Sequence, residues 1–85
     1  MTKFLRGKVS KGMFPDELVL LLADHDGGPQ ALIVQSELVK QSGEDGLVEV
    51  QIVDQREGLA LIRLPGELVT AGHVISVKES QLEAV

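Results

Sequence analysis

Cysteine, tryptophan and tyrosine are absent from this 85-residue chain, and phenylalanine occurs only at Phe4 and Phe14. Without cysteine, neither disulfides nor thiolate metal sites can stabilise the fold, so core packing or formation of a homo-oligomer must do so. The shortage of aromatic residues limits recognition, because interface hot spots and base-stacking platforms favour them. A binding surface on this chain must therefore rely on aliphatic, backbone or charged contacts.

Long hydrophobic runs are also missing. The run at residues 18–23 is far shorter than the roughly 18 apolar residues that a membrane-spanning helix needs. Residues 1–6 carry charges with no apolar stretch behind them, unlike a secretory signal. These features predict a cytoplasmic protein with no membrane segment, and the length predicts one domain, residues 1–85, with a single core.

Recognisable catalytic motifs are lacking as well. The serines lie outside any nucleophile-elbow setting, and no glycine-rich phosphate loop or dinucleotide fingerprint is present. Asp24, His25 and Asp26 form the one local cluster of metal-type ligands, which His73 could join only if two distant turns met. Two neighbouring carboxylates are too few for a hard cation, and aspartates before glycine commonly hydrogen-bond their own turn. We therefore predict no catalytic residue, no metal site and no cofactor.

The charge of the chain is unevenly distributed. Thirteen acidic against eight basic side chains give a net charge of −5, which argues against the strongly basic surface expected of a nucleic-acid-binding protein. The first eleven residues nevertheless contain four basic side chains and no acidic one, which leaves the other 74 residues at −9. The four are Lys3, Arg6, Lys8 and Lys11. This asymmetry indicates either a binding edge or the exposed face of a first strand.

Apolar patterns and turn signals divide the chain into short segments. The predicted strands span residues 4–11, 17–24, 31–34, 47–54, 59–64 and 73–78. Alternation is clearest in 47–54, where Val48, Val50 and Ile52 face one way and polar residues face the other. This alternation is typical of a half-buried strand.

Residues 17–24 allow two interpretations. The run from Leu18 to Ala23 does not alternate, so its period cannot separate a buried strand from a buried helix. Pro15 followed by two acidic residues would also suit a helix start. We favour a strand, because the segment is short and residues 24–29 resemble a hairpin loop leading to the strand 31–34.

The connections between strands follow from residues that favour turns. Ser36 as N-cap and Gly43 as terminator predict one short helical turn over 36–43. Gly58 supplies positive φ in a tight connection. The remaining expectations are a strand end at 65–66, a wide turn at 66–72 and a short helical or frayed tail at 79–85.

Short strands separated by turn signals, with no long amphipathic helix, predict an all-β fold. The predicted architecture is a small five- or six-stranded antiparallel barrel, OB-like or SH3-like, with one short helical turn. A closed barrel would also remove the exposed edges at which so aliphatic a sheet could aggregate.

Several segments of residues 4–64 share a pattern with one known family. The segments are the hairpin 48–58 with the strand 59–64, the tripeptide 7–9, Phe14, Val19, and the tripeptide 36–38. Together they resemble an S1 domain, an OB-fold module that binds RNA. The resemblance implies an OB barrel more than it implies RNA binding, since Val34 and Gln35 precede Ser36 and residues 11–14 hold one aromatic where the family has a pair.

These observations lead to three hypotheses of function. The first is a non-catalytic β-barrel module that binds another protein through the basic first strand and through Phe14 in the turn after it. The residues of that predicted site are Lys3, Arg6, Lys8, Lys11 and Phe14. The second is a weak single-stranded nucleic-acid binder of S1 type that uses the same region, with Arg56 or Arg63 adding charge. The third is a small enzyme that acts through His25 or His73.

Overall fold

A computed structural model describes residues 2–69 and 72–84 of the chain. These residues form eight strands: β1 (Lys3–Lys11), β2 (Glu17–Ala23), β3 (Pro29–Gln35), β4 (Val39–Ser42), β5 (Asp45–Arg56), β6 (Leu59–Leu68), β7 (Gly72–Lys78) and β8 (Leu82–Glu83). Two single 3-10 turns, Ser36–Leu38 and Glu79–Gln81, complete the described elements. Among the described residues, no helix has the length and apolar character to span a bilayer.

Five of the strands close into a barrel, which confirms the predicted all-β antiparallel architecture. Around the ring, β1 pairs with β2, β2 with β3, β3 with β6, β6 with β5 and β5 with β1, and every pair is antiparallel. The other three strands add to its members: β4 pairs with β5, β7 with β6 and β8 with β1. The arrangement is compatible with an OB-like fold.

Two bent strands make this ring possible. Antiparallel neighbours alternate in direction, so a ring of straight strands that are all antiparallel must have an even number of members. Each of the two strands changes its partner along its length. β5 pairs with β1 through residues 45–50 and with β6 through residues 51–56. β6 pairs with β5 near its start and with β3 only at Glu67 and Leu68. The registers shift between Ile52 and Asp54 in β5 and after Arg63 in β6, where the strands bend.

The core fills the barrel with aliphatic side chains. Its members are Leu5, Leu20, Leu22, Leu32, Val34, Val48, Val50, Ala60, Ile62, Leu64, Leu68, Ile75 and Val77. Phe4 is also buried but lies outside this cluster, with the Lys40 ammonium 4.7 Å from its ring centre. Aliphatic packing therefore accounts for the core, as the shortage of aromatic residues requires.

The segment with two interpretations is a strand. β2 alternates at its end, with Leu20 and Leu22 buried and Leu21 49% exposed. It pairs with β1 on one side and with β3 on the other. The strand hypothesis for Leu18–Ala23 is therefore confirmed. Two flanking strands supply the hydrogen-bond partners of its backbone N–H and C=O groups, which a helix would have paired internally.

Four local predictions differ in detail from the structure. The short helical turn predicted within residues 36–43 is confirmed as a 3-10 turn, but it covers only Ser36–Leu38, Gln35 precedes it as N-cap, and residues 39–42 form β4. Ile52 was predicted to face inward with Val48 and Val50, but its side chain is 37% exposed. The register of β5 shifts directly after Ile52, and the alternation of inward and outward side chains ends there.

The other two differences concern chain segments near the end of the sequence. The strand expected to stop at Pro65 continues to Leu68, because proline at this bend keeps an extended backbone and β3 then pairs with the strand. The wide turn predicted at 66–72 is correspondingly shorter, and its residues 70 and 71 lie outside the described residues. In the tail expected to be short helical or frayed at 79–85, Glu79–Gln81 form a 3-10 turn, and the strand β8 that follows was not predicted; residue 85 lies outside the described residues.

Candidate functional site

The structure divides the predicted site into two groups. Arg6 and Lys8 project from the exposed face of β1. Lys11 ends that strand and Phe14 lies in the loop after it, and both line a groove on the barrel surface. Lys3 begins β1 and is partly buried. The five predicted residues therefore do not form one continuous basic surface.

Carboxylates neutralise the first group. The Arg6 guanidinium donates to both oxygens of Glu83 at 2.8 and 2.9 Å, and to Asp45 at 3.3 Å. The Lys8 ammonium donates to the other oxygen of Asp45 at 2.8 Å. This ionic cluster of two bases and two acids leaves little net positive charge for an external anion.

The same contacts alter the protonation equilibria of the cluster. The hydrogen bond from Lys8 is the main reason that the pKa of Asp45 is lowered. The hydrogen bond from Arg6 likewise lowers the pKa of Glu83, and Glu83 raises the pKa of Arg6 in return. All four side chains stay charged at neutral pH, so the cluster acts as a set of ion pairs across β1, β5 and β8.

We expect the cluster to weaken in acid. The folded-state pKa values of Asp45 and Glu83 lie below the ordinary values of 3.8 and 4.5. The ion pairs of these carboxylates therefore contribute to stability above pH 3.8 and 4.5, and this contribution is lost as the pH falls through the folded-state pKa. Both carboxylates are solvent-accessible, so the loss should be small and should shrink with added salt. A carbon-detected NMR titration of the side-chain carboxyls measures the shift directly.

A matched pair of variants tests the cause. Lys8→Gln should raise the pKa of Asp45 towards 3.8, whereas Lys78→Gln should leave it unchanged, because Lys8 alone of these two contacts Asp45. An Asp45 carboxyl that titrates at or above 3.8 in the unsubstituted chain would contradict the assignment.

The second group borders an apolar groove of about 940 Å³. The apolar part of its lining is Met13, Phe14, Val19, Ile33, Val34, Leu38 and Pro65. Met13 is 93% exposed and Phe14 is 61% exposed, which is unusual for large apolar side chains and typical of a contact surface. The groove therefore has the most prominent exposed apolar cluster of the described chain.

Backbone hydrogen bonds hold the loop that presents these side chains. The amide of Gly12 donates to the carbonyl of Glu17, and the amide of Glu17 donates to the carbonyl of Phe14 at 3.0 Å. The amide of Ser36 donates to the carbonyl of Asp16 at 2.8 Å, which ties the loop to the first 3-10 turn and so to Leu38. The exposed position of Met13 and Phe14 is thus a consequence of an ordered loop.

The charges at the groove are mainly acidic. Among the described residues that line it, Lys11 is the one basic side chain, against Glu17 and Glu67. Asp16 and Glu37 flank the loop and the 3-10 turn that border it. The groove therefore combines apolar side chains with a rim that attracts cations.

Two of the residues considered for metal binding, Asp24 and His25, make hydrogen bonds within the fold. One carboxylate oxygen of Asp24 accepts hydrogen bonds from the amides of Asp26 and Gly28, at 3.0 and 2.8 Å. The bond from Gly28 is the main reason that the pKa of Asp24 is lowered. The amide of His25 donates to the carbonyl of Ser76, and His73 is exposed on β7. Within residues 2–69 and 72–84, no group of three or more metal-type ligands comes together.

Comparisons with protein-family models, curated proteins and solved structures found no match for this chain. The structure supports the small antiparallel barrel that this resemblance implies. The resemblance to S1 domains in particular stays a prediction.

Sequence reasoning missed the apolar lining of the groove and the acidic partners of the basic strand. Met13 beside Phe14 was the available signal, because two large apolar residues in a predicted turn have no core to enter. Leu38 and Ile33 gave no such signal, since their positions depend on how distant segments meet. No local pattern pairs Arg6 with Glu83.

Proposed function

We propose that this protein is a non-catalytic β-barrel module that binds a segment of another protein in the groove beside Phe14. The observation that carries the proposal is the exposure of Met13 and Phe14 on an ordered loop at the mouth of that groove. Apolar surface of this kind is costly in water, and a partner's apolar side chains would cover it.

The rim of the groove suggests the chemistry of that segment. The groove is lined by Glu17 and Glu67 against Lys11, so basic residues flanking an apolar stretch would complement it. Met13 can adjust its unbranched side chain to different apolar shapes. We therefore infer a partner segment with a short apolar core and lysine or arginine beside it.

A peptide-display selection against the full chain tests this proposal. The enriched peptides should contain an apolar core with basic flanks. Their affinity should fall about tenfold or more for the double variant Met13→Ser, Phe14→Ser, because about 1.4 kcal/mol of lost apolar contact gives that factor. The control is Leu21→Ser, which replaces an apolar side chain that is 49% exposed and lies outside the groove.

Two results would count against the groove. Enriched peptides without the apolar and basic pattern would contradict the partner chemistry. Peptides that bind the double variant as tightly as the unsubstituted chain would contradict the location, provided that both variants keep the thermal unfolding midpoint of the parent.

A second candidate is single-stranded nucleic-acid binding, which the position of Lys11 beside Phe14 favours. In that arrangement the ring would stack on a base and the ammonium would contact a phosphate. Fluorescence anisotropy with labelled RNA at about 50 mM salt tests it, since phosphate contacts are strongest at low salt. Absence of binding there would eliminate this candidate.

The proposal that the module is non-catalytic has its own test. The enzyme hypothesis assigns the chemistry to His25 or His73, and the backbone amide of His25 donates to the carbonyl of Ser76. Once a partner is identified, the double variant His25→Gln, His73→Gln should retain binding and function. Loss of function with retained folding would overturn the non-catalytic assignment.

A further inference from the structure

The edge of β1 is shared between two strands. Phe4 pairs with Glu49 of β5 and with Glu83 of β8, so β8 lies on the side of β1 opposite β5. β2 occupies the same side but pairs only with residues 8–11 of β1. β8 therefore fills the part of the β1 edge that β2 leaves open.

β8 makes a small set of contacts with that edge. It pairs over two residues, Leu82 with Leu5 and Glu83 with Phe4. Leu82 packs against the core while staying partly exposed, and Glu83 accepts two hydrogen bonds from Arg6. The Gln81 side-chain amide also donates to the carbonyl of Ala23 at 2.9 Å.

The barrel, by contrast, holds β1 rigidly. β1 pairs with β5 over residues 3–8 and with β2 over residues 8–11, so its open edge keeps its shape whether or not β8 is present. A two-residue strand held by an exposed ion pair contributes little stability by itself. The edge is thus a preformed pairing surface with a weakly held occupant.

We propose that this edge of β1 is a strand-addition site for an extended peptide segment in which an apolar residue precedes an acidic one, and that β8 occupies the site as an internal ligand. The apolar residue takes the place of Leu82 and the acidic residue meets Arg6. Backbone pairing supplies part of the affinity of such sites, and side chains supply the selectivity.

The selectivity follows from the ionic cluster. A guanidinium binds a carboxylate through two parallel hydrogen bonds, and the contacts of Arg6 with Glu83 have this form. Lys8 donates to Asp45, so Arg6 is the side chain that would bind the acidic residue of the peptide. The site is separate from the groove beside Phe14, and the two proposals can fail independently.

A competition experiment with the full chain tests the site. The probe is a fluorescent peptide with the sequence of residues 78–84, and its binding is measured by anisotropy. The double variant Leu82→Ala, Glu83→Gln should bind the probe about tenfold more tightly than the unsubstituted chain, because a weakened internal ligand competes less. Adding Arg6→Gln to that variant should remove most of the gain, because the probe then loses its ion pair.

The control variant is Glu79→Gln, in the same segment as β8. Glu79 accepts a hydrogen bond from Gln55 and has no contact with Arg6, so probe affinity should not change. A probe in which glutamine replaces the glutamate equivalent to Glu83 should bind the double variant about fivefold more weakly, within the range of an exposed ion pair.

Three results would overturn the proposal. The first is equal probe affinity for the double variant and the unsubstituted chain. The second is an affinity gain that survives Arg6→Gln. The third is a concentration-dependent dimer of the double variant in sedimentation, at the protein concentrations of the assay, which would assign the edge to strand exchange between two copies of this chain instead.

Discussion

Leu20→Ala is expected to cost about 4 kcal/mol of unfolding free energy, in the upper part of the range for buried leucine truncations. Leu20 is fully buried in β2, between Val9 of β1 and Leu32 of β3. A side chain at Gly7 would meet the Leu20 Cγ at 2.8 Å, and one at Gly46 would meet its Cδ1 at 3.1 Å. Two glycines therefore make room for this leucine, and neither can move a side chain into the space that alanine would leave.

Urea denaturation followed by circular dichroism measures that loss. Small domains have a total stability of about 5–15 kcal/mol, so a large fraction of it should disappear. Leu21→Ala is the matched control, because the same change on the next residue removes a side chain that is 49% exposed, and its effect should stay below about 1 kcal/mol. Similar losses for both variants would contradict the alternation of β2.

Gly66→Ala is expected to open the barrel where β6 meets β3, at a cost of about 3 kcal/mol or more. A Cβ atom at this position would clash with the carbonyl oxygen of Ile33, a backbone atom that can move only if the strand moves. The two strands pair there at only two positions, involving Glu67 and Leu68. The alanine methyl group would therefore separate the weakest pairing of the ring.

Hydrogen exchange locates the effect. The amide of Val69 donates to the carbonyl of Ala31 at 3.0 Å, next to this pairing, and should lose protection in Gly66→Ala. The control is Gly43→Ala, where φ is +63° and nothing lies within 4 Å, so left-handed strain of about 1 kcal/mol is the main cost. Retained protection at Val69 in Gly66→Ala would contradict the close approach.

Periodicity predicted which side chains are buried wherever the strand keeps a regular alternation of inward and outward residues. Val48 and Val50 face inward as their alternation predicted. Ile52 departed from the pattern because its strand shifts register after that residue to follow the ring, which no local feature of 47–54 announces. Pro65 misled the prediction for the same reason, since the strand continues around a bend.

The candidate site was predictable only in its components. The basic residues of the first strand and the exposed Phe14 were visible in the sequence, but their grouping was not. Arg6 meets Glu83 across 77 positions of chain, and that contact removes Arg6 from the surface that Lys11 and Phe14 share. Contacts at such separation depend on closure of the barrel, and charge counting along the chain cannot anticipate them.

The sequence by itself determined that this protein is built from short antiparallel strands around an aliphatic core, because alternation and turn residues act within a few positions of each other. Only the tertiary structure decided how an odd number of antiparallel strands closes, through bends in β5 and β6. It also decided that Arg6 and Lys8 of the first strand are neutralised by Asp45 and Glu83, and that the exposed apolar surface lies in the groove beside Phe14. Those outcomes depend on which distant segments become neighbours, and the pattern of any single segment does not contain that information.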